Sequence, residues 1–99
     1  MSDLNSEMLR IKDRIKQYQE MKNQIKNNLK EMGVEEVPNY KNKLEEILNE
    51  INNFISIQEE NPESLELVFL TKKIVIGIKN LLKNLDEFKV KGYIFYDSF

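Results

Sequence analysis

The sequence predicts an all-α fold: a three-helix bundle with a long, coiled-coil-like first helix and a short aromatic C-terminal tail. Three observations carry this expectation. Leu4, Met8, Ile11, Ile15, Tyr18, Lys22, Ile25, Leu29 and Met32 recur in alternating steps of four and three, the seam of a coiled coil broken only at Lys22. Helix stop and start signals follow at Gly33, Pro38-Asn39 and Asn61-Pro62. Two further apolar stripes with helical period occupy the segments between and after these signals.

The first helix is expected over about 4–32, with Ser2 or Asp3 as its cap and Gly33 as a left-handed C-terminal residue. Such a helix, about 43 Å long, needs other long helices to cover its stripe. Pro38 disfavours helix up to the residue before it, and Asn39 is placed to cap a second helix over about 40–59. There Tyr40, Leu44, Ile47, Ile51 and Phe54 share one stripe, widened by Leu48 and Ile55, so this helix should touch two neighbours.

Asn61 as cap with Pro62 at the first helical position opens a third helix over about 62–89. Its seam runs Leu67, Thr71, Ile74, Ile78, Leu81, Leu85 and Phe88, and Phe69, Leu70 and Ile76 make its first half apolar nearly all round. That half is expected to be the most buried part of the molecule or of its assembly. The β-branched run Ile74-Val75-Ile76 leaves a strand at 74–78 as an alternative. Gly77 inside a helix costs about 1 kcal/mol relative to Ala, which close approach of another helix would justify.

The tail, residues 90–99, changes character at Gly92: Tyr93, Phe95, Tyr96 and Phe99 are too apolar for a solvated end. It either folds back over the bundle or pairs as a strand with a partner. Both readings make these four residues contact residues.

Composition bounds the chemistry. Ninety-nine residues suit one domain with a modest core, which oligomerisation would enlarge. There is no Cys and no His, which removes disulfides, thiolate metal sites and the commonest general base. The Gly residues are isolated, so no phosphate loop is formed, and no base stands available to activate a hydroxyl. The chain is therefore expected to be no enzyme, to hold no metal and to need no cofactor. Ala is missing while Lys, Asn, Ile and Glu abound, the mark of AT-rich coding DNA rather than of a structural choice. No basic-then-apolar leader opens the chain and no uninterrupted apolar run spans a bilayer, so the expected location is the cytoplasm, or a particle assembled there.

Charge is unevenly spread around a net −2: residues 1–34 carry +2, residues 35–66 carry −7 and residues 67–99 carry +3. Either the acidic helix packs between two basic ones and the fields cancel, or Glu45, Glu46, Glu50, Glu59 and Glu60 form an acidic face for a basic partner. The cations of helix one interleave with Asp13, Glu20 and Glu31 and lack alternating aromatics, so nucleic acid is not an expected ligand.

The seam residues Met8, Ile11, Ile15, Tyr18, Lys22, Ile25 and Leu29 are the candidate oligomer or partner contacts, together with the four tail aromatics. Lys22 must snorkel out of the seam, which disfavours other registers and higher oligomers. The flanking charges specify a parallel pair poorly: Glu7 attracts Lys12 across such a dimer, but Arg14 with Gln19 and Met21 with Lys26 do not. Helix one is thus expected to pack antiparallel to helix two within the chain, leaving dimerisation to helix three or the ends.

The stretch Lys22-Asn23-Gln24-Ile25-Lys26-Asn27-Asn28-Leu29-Lys30-Glu31-Met32-Gly33-Val34, then Val37-Pro38-Asn39-Tyr40, Leu44 and Ile47, resembles a helix-turn-helix segment of tail-fibre and baseplate proteins from phages of Gram-positive bacteria. In that family a helix reading roughly Lys-x-x-Ile-x-x-Ala-Ile ends at a Lys-Gly-Val turn, and a second helix begins near a Tyr that precedes an Ile. Lys22, Ile25, Leu29, Gly33, Val34, Tyr40 and Ile47 occupy the matching positions, while Asn28 replaces the Ala and the step from Gly33 to Tyr40 is short. The likeness covers about a quarter of the chain and implies a phage or mobile-element protein. Two functions are consistent with all of this: a self-assembling structural or scaffolding part, with itself or a particle protein as partner, and a small acidic inhibitor of a host defence protein that blocks a basic nucleic-acid-binding surface.

Overall fold

Spacing and turn chemistry resolve into three helices in the computed structural model, which describes residues 4–28 and 31–91. The elements are α1 (Leu4–Asn27), α2 (Val37–Gln58) and α3 (Leu65–Lys91), with single 3-10 turns at Val34–Glu36 and Pro62–Ser64. The molecule is an all-α three-helix bundle, 45 × 21 × 19 Å, as three side-by-side helices of these lengths require. The proposed caps Ser2 and Asp3, the seam residue Leu29 and the tail aromatics Tyr93, Phe95, Tyr96 and Phe99 lie outside the described residues.

Cross-helix pairs give the topology. Arg14 meets Glu50 and Glu7 meets Gln58, so α1 and α2 are antiparallel. Lys41 meets Asp86 and Lys72 meets Glu59, so α2 and α3 are antiparallel as well, and α1 runs parallel to α3. The core collects Ile11, Ile15, Tyr18, Met21 and Ile25 from α1, Val37, Leu44, Ile47, Ile51 and Phe54 from α2, and Leu67, Val68, Ile78, Leu81, Leu85 and Phe88 from α3. The α2 and α3 faces are the most closely packed.

Several boundaries differ from expectation. α1 ends at Asn27 rather than Met32, at a pair of consecutive Asn residues, which are weak helix formers. The Asn28 N–H is shared between Gln24 O at 3.0 Å and Ile25 O at 3.2 Å, the tightened last turn of a helix that is stopping. Gly33 is not left-handed: its φ of −89° and ψ of 155° are extended. It opens the 3-10 turn instead, donating its N–H to Glu36 Oε2 at 3.0 Å while accepting the Glu36 N–H at 3.1 Å.

α2 starts at Val37, earlier than Tyr40, so Asn39 lies inside the helix and is not its cap. Pro38 is accommodated because it falls in the first turn, where its missing N–H would have had no helical partner. α3 starts at Leu65 rather than Pro62, and Asn61 caps the 3-10 turn that leads into it: its Oδ1 accepts the Glu63 N–H at 3.1 Å, and its Nδ2 donates to Gln58 Oε1 at 3.0 Å. The neighbouring Ser64 is buried and directs its hydroxyl to Asn61 O and Gln58 O, tying the end of α2 to the start of α3. Residues 74–78 are helix, not strand.

Candidate protein-contact surface

The stripe of α1 is consumed inside the chain. Ile11, Ile15, Tyr18 and Ile25 are core residues and Met8 packs half-buried against them. α2 and α3, tethered in the same chain, reach this stripe at a far higher effective concentration than a second copy can. These residues, expected as oligomer contacts, are instead covered by the chain's own helices. The buried stripe also turns by one residue at its centre: Met21 enters the core, and Lys22 stands half-buried on the flank facing α3, beside Tyr18, Ile74 and Gly77. Lys22→Ile should still raise stability, by about 1 kcal/mol and hence a few degrees in Tm, because the stem already lies against apolar surface. A melting point that falls would mean that the ammonium group is held by a partner.

The acidic face divides in two. Glu45, Glu46 and Glu60 are exposed, but Glu50 turns toward α1 and Glu59 pairs with Lys72 at 2.8 Å. Glu50 takes a fork from Arg14, Nε to Oε2 at 2.6 Å and Nη2 to Oε1 at 3.0 Å, and a further contact from Arg10 at 3.2 Å. Burial pushes its carboxyl upward, yet the hydrogen bonds and charges of Arg14 and Arg10 outweigh this and hold it below the ordinary value of 4.5. A lowered folded-state value contributes stability above the unfolded value, which is lost as pH falls through the folded one. Tm should therefore drop on acidification below about pH 4.5, and Glu50→Gln should lower Tm at pH 7 while flattening that acid limb. Equal acid limbs for the two proteins would remove Glu50 from the account.

A first surface lies on α3, the helix whose first half the sequence marks as the most buried part of the molecule or of its assembly. Its apolar first half is not enclosed: Leu65 is 42% exposed, Phe69 56% and Ile76 63%. At about 100° per residue these three fall within an arc of about 40°, opposite the side that carries Leu67, Thr71, Ile78 and Leu85. Two neighbouring helices cover only the inner side of α3, so an all-round apolar helix must leave one side bare. Lys72, Lys79 and Lys83 run along the same outer side.

A second surface is the trough between α1 and α3, the sparsest of the three helix pairings. One end is lined by Met8, Lys12, Pro62, Glu63, Glu66, Leu67 and Leu70. The other is lined by Tyr18, Gln19, Lys22, Asn23, Lys26, Lys73, Ile74 and Gly77. Gly77 is explained there: a Cβ at this position would lie 2.5 Å from the Tyr18 hydroxyl oxygen. Burial raises the Tyr18 phenol above its ordinary value, so it stays protonated at neutral pH.

Among the described residues no group of three or more Asp and Glu converges as a metal cage, and no helix is long and apolar enough to cross a membrane. The chain matches no known family, no characterised protein and no solved structure.

Proposed function

We propose that this protein acts by contact rather than catalysis, as a self-assembling structural or scaffolding part of a phage or related mobile element. The observation that carries the reading is the bare apolar ridge Leu65-Phe69-Ile76 on the outer side of α3. Its geometry suits a second copy. Phe69 and Ile76 are seven residues apart, two helical turns, so two antiparallel α3 helices can set Phe69 of each copy against Ile76 of the other. Such a contact is isologous and closes as a dimer. The attribution to a phage rests on the resemblance of residues 22–47 alone.

Sedimentation or light scattering at micromolar concentration should show at least a dimer, and Phe69→Glu with Ile76→Glu should yield a monomer of unchanged helicity. Because Lys72 of each copy approaches its counterpart across this pair, added salt should tighten it. A clean wild-type monomer overturns the self-assembly reading. The second reading, an acidic inhibitor of a host defence protein, is supported by the exposed Glu45, Glu46 and Glu60. It draws less from the geometry, since Glu50 and Glu59 are already engaged within the chain. An acid-face contact would weaken in salt, the opposite response.

A further inference from the structure

We infer that the Tyr18 hydroxyl, with the ammonium groups of Lys22 and Lys73, forms a binding site for an oxyanion, the phosphate or carboxylate group of a small molecule. The site uses neither the α3 ridge nor the acidic face and goes beyond the contact reading. Tyr18 is 4% exposed, yet its hydroxyl has no hydrogen-bond partner among the described residues. A buried phenol is usually paired, because an unpaired donor forfeits the hydrogen bond that water gave it. No fully enclosed side-chain nitrogen or oxygen among the described residues lacks a partner, so this hydroxyl reaches the open side of the contact between α1 and α3. There Tyr18 lines a depression of about 550 Å³ with Lys22, Asn23, Lys73 and Gly77.

The fold gains nothing from this oxygen. α3 carries a glycine to admit it, since a Cβ at position 77 would lie 2.5 Å from the hydroxyl oxygen, and glycine weakens a helix relative to alanine. Tyr18→Phe with Gly77→Ala would fill the same space with a better helix former and no unpaired donor. Two local costs incurred for one atom mark a functional position rather than a packing solution.

The surroundings of the hydroxyl set the ligand class. Burial keeps the phenol protonated at neutral pH, so it donates and its ligand must accept. Lys22 stands one turn beyond Tyr18 on α1 and Lys73 one turn before Gly77 on α3, so with the two helices parallel the lysines flank the hydroxyl from either end. Neither lysine is held in an ion pair. A neutral acceptor would serve the hydroxyl alone, whereas an oxyanion serves all three groups through charge-assisted hydrogen bonds. The volume of the depression is that of a small-molecule site.

The test uses the full chain with inorganic phosphate and succinate as probes, at a constant ionic strength set by chloride. Isothermal titration calorimetry should show saturable binding of at least one probe, and that probe should raise Tm. Which of the two binds more tightly identifies the group as phosphate or carboxylate. Tyr18→Phe should weaken binding about tenfold, the loss of one charge-assisted hydrogen bond, and Lys22→Gln with Lys73→Gln should weaken it at least as much. The Tyr18→Phe, Gly77→Ala protein should match the wild type in helicity and Tm yet bind as weakly as Tyr18→Phe, which separates a lost donor from a lost fold. Lys43→Gln, on α2, should bind like the wild type. No saturable binding of either probe overturns the proposal, and so does binding that Tyr18→Phe leaves unchanged, which would be an adventitious ion only, held by surface lysines.

Discussion

Leu85→Ala is expected to be among the most destabilising single changes in this protein, costing about 3 kcal/mol and lowering Tm by at least about 10 °C. Leu85 is fully buried in the core of the bundle. Collapse around the deleted side chain is resisted locally. The next residue, Asp86, is tied to Lys41 of α2 at 2.6 Å, and Leu81 and Phe88 hold the adjacent turns in the core. The cavity therefore stays open, which places the loss well above the transfer term alone. Urea unfolding at fixed protein concentration measures it, since self-association would add a concentration-dependent contribution. A loss below about 1 kcal/mol would mean that the core around Leu85 is far more compliant than its packing indicates.

The second large effect is a coupling. Gly77→Ala on an ordinary helix gains about 1 kcal/mol, yet here it should lose about 1–2 kcal/mol, because the new methyl meets the Tyr18 hydroxyl oxygen. The ring cannot swing aside freely, since Tyr18 is only 4% exposed and lies among core residues. Tyr18→Phe removes the obstructing atom, and the next-nearest ring atom, Cζ, stands at 3.3 Å, a tight contact that a few tenths of an ångström relieve. The double variant should therefore recover the loss, with an interaction energy of about 1–3 kcal/mol in a double-mutant cycle. Additive effects of the two changes would show that Gly77 is not there to admit Tyr18.

Much of the architecture was legible before any coordinates. Apolar residues three and four apart identify three helices because that spacing alone aligns them on one side of a 3.6-residue turn. Asn61-Pro62 marks the start of the third helical segment because capping and the proline ring are local chemistry, read from adjacent residues. The antiparallel packing of α1 on α2 followed from charges poorly matched for a parallel pair. Helix boundaries were harder to weigh: α1 stopped at Asn27, and Pro38 entered α2 instead of preceding it.

What the sequence by itself determined, then, is which residues can share a side of each helix. The tertiary structure alone decided how wide a sector of each helix is covered, and by what. Two neighbours enclose Ile15 and Leu85 but leave Phe69 and Ile76 bare, although all four are equally apolar. Met21 is in and Lys22 on the flank because α2 and α3 approach α1 from angles that a single heptad seam does not encode. Glu50 pairs with Arg14, thirty-six residues away, while Glu45 and Glu46 on the same helix face outward. Periodicity is a property of one helix, whereas burial and charge pairing belong to the space between helices, and that space exists only once all three have packed.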